Sequence, residues 1–366
     1  MRRLTLVVPG LLWPAPQTLH PARDMPLAAL SRLLGRGRQR IGPPISHENL
    51  LARLFGMEDI APSLAALRRL GEDGGAESGK ERGEKGENAG AHWLCADPVH
   101  LCLTREYLLL SDFADGEIDA GEARALSTAL NDDYAALGHF QAATPTRWYL
   151  RLDRPPVARF SPLHDAVGRP VQHFLPAGDE AGARRWRHVL SDIQITLHHH
   201  PVNQARAASG RRPVNSLWFW GGGGLAASAR TARAPCPAVQ ARDPLARGLA
   251  RAAGIAPEMP DVDAARRTGA LTVLDALASP VRHLDLAVWR ERLAAMENDW
   301  FAPLMRAFDA GGLRALALRV PGERAEFALT LDGGARWRFW RRPVTLDDIH
   351  ARLASWHPFS TIPESG

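Results

Sequence analysis

The first apolar run, Leu4-Thr5-Leu6-Val7-Val8, is stopped after five residues by Pro9-Gly10. A run that short suits a buried strand, and the Pro-Gly step turns the chain away from it. The pattern recurs. Short apolar runs at 92–95, 99–103, 107–111, 148–152, 214–220, 313–320, 327–331 and 336–340 read as strands. Between them lie longer stretches in which apolar residues recur every three or four positions. Strands alternating with helices define an α/β class, expected here as a mixed sheet flanked by helices. The closing runs, joined by Pro321-Gly322 and Asp332-Gly333-Gly334, read as an antiparallel C-terminal meander.

The clearest helix covers 179–200. Trp186, Leu190, Ile193 and Leu197 share one face, Asp179 is placed to cap the start, and Pro201 to close the end. Further helices are expected within 26–70 and over 122–137, 244–253, 286–308 and 345–356, with Asp243 capping the third of these ahead of Pro244. Residues 71–90 are almost all Gly, Glu, Lys and Ser, so they cannot bury apolar surface and read as a flexible linker. The expected organisation is an N-terminal strand-helix part of the core (1–70), the linker (71–90), a central segment (91–230) and a C-terminal α/β part of the core (231–366).

The chain has 366 residues, 45% of them hydrophobic, enough for a large core. Its net charge is +5, carried almost wholly by arginine, since Lys80 and Lys85 are the only lysines. The charge is spread along the chain, which reads against a nucleic-acid footprint. The three cysteines, Cys95, Cys102 and Cys236, form no Cys-x-x-Cys pair, which fits a reducing compartment. No run is long and apolar enough to span a membrane. A cytoplasmic protein is expected.

One segment resembles a known family. His200-Pro201-Val202-Asn203, Arg206, Gly210, Pro213, Asn215 and the glycines after Trp220 are similar to a recurring segment of the archaeal-type cofactor-independent phosphoglycerate mutases. There a helix ends in His-Pro-Val-Asn and an Asn-bearing strand leads into a Gly turn. Asn215 to Gly223, the run Ala96-Asp97-Pro98-Val99-His100-Leu101, and Asn298-Asp299-Trp300-Phe301 resemble more closely a group of bacterial regulatory proteins of RpfE type. The resemblance implies a reduced alkaline phosphatase-like fold.

It does not carry the family's chemistry with it. Those enzymes use two divalent metals and a serine that takes the phosphoryl group, because charge builds on both attacking and leaving oxygens. In the family the first strand ends in Asp-Gly, and that Asp holds a metal. Here the strand ends in Pro9-Gly10, and proline cannot ligate. After Cys236 only His283, His350 and His357 remain, none in an Asp-His pair. Where the resemblance puts phosphate-binding arginines stand Glu117, Asp119 and Glu122.

Other constellations read as structure. His198-His199-His200 point about 100° apart on a helix and cannot converge on one ion. Ser161, His164 and Asp165 are too close in sequence to form a triad. Trp218 and Trp220 share a strand face and read as core. Trp337-Arg338-Phe339-Trp340-Arg341-Arg342 reads as a half-buried edge strand, although interleaved aromatics and cations also suit nucleobases. Gly221 to Gly224 read as a tight strand-to-helix crossover, with a phosphate cradle as the alternative.

The expectation is therefore a non-catalytic regulatory or ligand-sensing protein. No catalytic residue, metal ligand or cofactor is expected. The candidate ligand-binding residues are His200, Asn203, Arg206, Asn215, Gly221 and Gly222. The ligand would be a phosphorylated or carboxylated small metabolite, beside a regulatory protein partner. The alternatives are a metal-dependent mutase or phosphatase with a rebuilt site, and a basic nucleic-acid-binding regulator.

Overall fold

The structure is a computed structural model that describes residues 3–14, 20–57, 63–72, 91–225, 230–338 and 340–355. The linker expected over 71–90 lies outside the described residues from 73 onward, as does the last residue of the helix expected over 345–356. In chain order the strands are β1 (Leu4–Val7), β2 (Arg38–Gly42), β3 (His92–Leu103), β4 (Leu108–Asp112), β5 (His139–Ala142), β6 (Trp148–Leu152), β7 (Ser216–Gly224), β8 (Val239–Ala241), β9 (Leu271–Val273), β10 (Leu316–Val320) and β11 (Glu326–Leu331). The chain divides into two compact units, one made of 1–58 with 232–366 and the other of 59–231.

The first unit is built on a six-stranded mixed sheet in the order β2-β11-β10-β1-β9-β8. β1 lies parallel to both β10 and β9, and β8 is parallel to β9. Leu4 and Leu6 of β1 are fully buried, as a strand inside a parallel sheet requires. β10 and β11 are antiparallel, as the turn at Pro321-Gly322 predicts. The third strand of that meander is β2, from the N-terminal part. Residues 336–340, expected to supply it, do not. Asp332 accepts from Ala335 N and caps a 3-10 turn over Gly333–Trp337, which takes the chain off the sheet.

The helix expected over 286–308 is interrupted. Leu286–Met296 and Ala302–Asp309 are joined by a π-helical turn, Glu297–Phe301, which holds the Asn298-Asp299-Trp300-Phe301 motif. The turn swings the buried Glu297 carboxylate onto the start of helix Ala28–Arg36. There it accepts from Ala29 N (2.6 Å) and Leu30 N (3.1 Å). That helix has Leu27 as its N-cap and no side-chain cap of its own, so Glu297 satisfies two open amides and meets the positive end of the helix dipole.

The second unit is an antiparallel sheet, β4-β3-β6-β5, with β7 on the far side of β3. The runs at 92–95 and 99–103 are one strand rather than two. Pro98 sits where β3 changes partner on one edge, from β6 (last paired at Cys95) to β4 (first paired at Val99). A proline lacks the N–H that a paired position needs, and at this gap none is called for.

The Asp97 carboxylate fills the gap. It receives both Arg68 guanidinium nitrogens (2.8 and 2.6 Å), Trp148 N and Trp220 Nε1. Arg68 Nε also donates to the Tyr149 hydroxyl, which donates to Glu72. The buried Arg68 is thereby paired, and helix Leu64–Gly71 is tied to the sheet. The long helix is Glu180–His199, with Asp179 accepting from Gly182 N and Trp186, Leu190, Ile193 and Leu197 buried as expected. Trp218 and Trp220 are buried, as read from the sequence.

Candidate functional site

The His-Pro-Val-Asn segment is a corner between two helices. His200 ends Glu180–His199 and begins Pro201–Ala208, so Pro201 opens a helix as well as closing one. His200 Nδ1 accepts from Val202 N, and burial lowers its pKa. Asn203, 2% exposed, donates from Nδ2 to Leu197 O and Val214 O and accepts from Val214 N on Oδ1. Arg206, 1% exposed, donates to Arg212 O, to Glu117 O and to the Glu122 carboxylate at 2.6 Å. Asn215 exchanges two bonds with the Leu101 backbone. Glu117 and Glu122, read from the sequence as repelling phosphate, hold Arg212, Arg206 and Arg211.

Gly221 and Gly222 lie within β7, which runs on to Gly224 and gives way to helical backbone at Leu225. Gly221 has φ +68°, and a Cβ there would stand 3.1 Å from Ala65 N of helix Leu64–Gly71. The glycines let that helix approach the strand backbone. Gly221 also lies six residues along the chain from Asn215, roughly 20 Å at strand rise. The six positions singled out from the sequence do not converge, and the polar atoms named above are engaged within the protein. His198 and His199 lie exposed on the last helical turn.

A different group gathers at the carboxyl ends of the parallel strands, where α/β sheets commonly bind ligands. β8 runs into Asp243 and β9 into Asp275. Asp243 caps helix Pro244–Ala252, with Oδ1 accepting from Ala246 N at 2.6 Å. Its other oxygen lies 3.3 Å from His47 Nε2, at the start of helix His47–Leu54, with the two side chains 19% and 17% exposed. Among the described residues, His47 Nδ1 is buried without a hydrogen-bond partner.

Burial alone would lower the His47 pKa, but the Asp243 carboxylate outweighs it and raises it. Burial likewise works against the Asp243 charge, yet His47 and the helix amide hold that carboxyl below its usual range. Asp275 has no such counter-charge close enough to prevail. Burial and the neighbouring Asp243 push it up. The group is a hydrogen-bonded His-Asp pair beside a second carboxyl whose pKa is raised.

The end of β1 is closed. Trp289 Nε1 donates to Gly10 O at 2.8 Å, and a Cβ on Gly10 would lie 2.5 Å from Leu277 O. Trp13 packs edge-on against Trp289, with ring centroids 5.4 Å apart. Among the described residues no group of three or more His, Cys, Asp or Glu side chains is placed to hold a metal ion. The described residues therefore do not fit the two-metal centre that the resemblance implies.

Residues 99–203 match the family of 2,3-bisphosphoglycerate-independent phosphoglycerate mutase. The chain is 34% identical over 114 residues to 2,3-bisphosphoglycerate-independent phosphoglycerate mutase 2 of Methanothermobacter thermautotrophicus, covering 31% of this chain and 28% of that protein. It is 30% identical over 119 residues to the corresponding mutase of Methanothrix thermoacetophila, covering 31% and 29%. The chain thus spans less than a third of the length of these relatives.

Among solved structures, the PH0037 protein of Pyrococcus horikoshii aligns with a TM-score of 0.53 and 13% identity, over 96% of this chain and 93% of that one. That likeness concerns the fold. A cofactor-independent phosphoglycerate mutase from Thermoplasma acidophilum aligns at a TM-score of 0.46 with 17% identity. The scaffold is phosphoglycerate mutase-like, a mixed α/β fold. The segment that matches the mutase family lies wholly in the second unit, whereas the His47 group and the closed end of β1 lie in the first.

Proposed function

We propose that the chain is a non-catalytic regulatory or ligand-sensing protein on a phosphoglycerate mutase-like scaffold, in the manner of the RpfE-type proteins it resembles. The observation that carries this reading is the end of β1. In the mutases it resembles, a metal-holding Asp ends the first strand, and at that position this chain has Pro9, which cannot ligate, followed by Gly10, whose carbonyl accepts from Trp289 Nε1. The reading is tested on purified full-length protein by metal content and by interconversion of 2- and 3-phosphoglycerate with added manganese. The expected result is no stoichiometric metal and no turnover. Turnover that a chelator abolishes would replace the reading with that of a mutase or phosphatase whose site has been rebuilt.

The ligand of this reading is a phosphorylated or carboxylated small metabolite, held at His47. An imidazole whose pKa the Asp243 carboxylate raises is a charged hydrogen-bond donor once protonated, suited to an anion. Such a ligand raises the melting temperature by mass action. The rise is expected to be larger at pH 6 than at pH 8 and to vanish in His47→Gln. A ligand-induced rise that His47→Gln leaves intact places binding elsewhere.

A further inference from the structure

The sequence discounts nucleic acid partly because 337–342 reads as a half-buried edge strand, with Trp337 and Trp340 on opposite faces. The structure removes that ground. The segment leaves the sheet in the 3-10 turn Gly333–Trp337, and both indoles are exposed to solvent, Trp337 at 63% and Trp340 at 68%. The Arg336 guanidinium lies over the Trp337 ring, 4.9 Å from its centroid.

Arg341 and Arg342 are exposed and Arg338 is half-exposed, and among the described residues none of the three has an acidic partner. Arg38, at the start of the edge strand β2, pairs with Asp332 at 3.6 Å, with its side chain 72% exposed. The nearby acids are engaged. Asp332 caps the 3-10 turn, Asp348 caps helix Leu346–Ala354 through Thr345, and Asp347 accepts from His20 N.

We infer that the surface formed by Trp337, Trp340, Arg338, Arg341 and Arg342 binds single-stranded nucleic acid, with bases stacked on the two indoles and phosphates on the arginines. Flat aromatic rings interleaved with unpaired guanidinium groups match a strand that offers an exposed base and a phosphate at every step. An acidic peptide would use the charges and leave the rings idle. A duplex keeps its base faces inside the stack, so it would meet only the arginines.

The inference is independent of the proposed function, and its test has no activity readout. A fluorescently labelled oligothymidylate of ~15 nucleotides, a length within the usual range of single-strand sites, is titrated with the full chain and followed by anisotropy. Saturable binding is expected at about 50 mM salt, weakening steeply towards about 200 mM, and weaker binding to a duplex of equal length. The Trp337→Ala/Trp340→Ala variant should weaken binding at least about tenfold, and Trp337→Phe/Trp340→Phe should recover part of the loss. Arg338→Glu/Arg341→Glu should weaken binding and flatten the logarithmic salt dependence by about one to two units. All these side chains are surface groups, so unchanged melting temperatures are expected and are measured alongside. Absence of saturable binding, equal affinity of the double Trp→Ala variant, or co-sedimentation with anionic lipid vesicles in place of oligonucleotide binding overturns the inference.

Discussion

At the scale of single residues, the buried polar groups divide into those that hold the fold and those left with something to exchange. Asn203 belongs to the first kind. Asn203→Ala strands Leu197 O, Val214 N and Val214 O, and should lower unfolding free energy by about 3 kcal/mol in denaturant titration. If this residue instead served a ligand, the substitution would leave stability nearly unchanged.

His20 is lowered to a pKa of about 4, mainly by burial and secondarily by His350, with Asp347 opposing. Its folded pKa lies below the unfolded value of 6.5, so its contribution is complete above pH 6.5 and is lost as pH falls towards 4. The loss should reach up to about 3 kcal/mol relative to His20→Asn, which keeps an acceptor for Ala22 N but does not titrate. Unfolding curves across pH 4 to 6.5 read it directly.

Asp275 has the opposite sense for an acid. Its folded pKa is raised, so ionisation destabilises the native state as pH climbs through that value. Asp275→Asn is expected to raise the melting temperature at pH 8 and to make little difference near pH 3. None of this is legible in sequence. Asp243 can be read as a helix cap from the proline after it, but its partner His47 stands 196 residues away, and only the fold brings them together.

At the scale of elements, local pattern gave most of what formed. The stripe of Trp186, Leu190, Ile193 and Leu197 located its helix to within a residue at each end, because one face of that helix is buried along its whole length. The errors share a cause, which is long-range pairing. β2 was missed because Arg38-Gln39-Arg40 has no apolar signature, yet it pairs with β11 as an edge strand, where charged residues are favoured. The split of β3 at Pro98 and the supposed strand at 336–340 misjudged what lies on the other side of each backbone.

The handover at Pro98 carries an energetic prediction. Arg68→Met leaves Asp97 buried with its main counter-charge gone, and should cost about 3–5 kcal/mol. The Arg68→Met/Asp97→Leu pair should recover part of that loss. Full additivity of the two changes would show that the pair does not act as one unit.

At the scale of the whole molecule, the mutase likeness was read from residues 198–223, whereas the family match covers 99–203 and shares only 198–203 with them. The first unit is assembled from two separated stretches of chain. β1 illustrates this. Both of its neighbours, β9 and β10, come from beyond residue 231. A chain ending after Thr231 should therefore lose order in residues 1–58, while the complete β3 to β7 sheet persists. Limited proteolysis with mass analysis would show early cuts before residue 58 and a resistant fragment spanning 91–224. Even digestion throughout would count against two separately cored units.

The same topology has a consequence in time. About 260 residues separate β1 from β9. At synthesis rates of about 5–20 residues per second, the first strand emerges roughly 13–50 s before either neighbour exists. During that interval Leu4, Leu6, Val7 and Val8 form a nascent apolar segment with open backbone edges. A protein with this connectivity depends on whatever shelters the growing chain, and its yield in cells should respond to chaperone supply and translation speed more than its final stability would suggest.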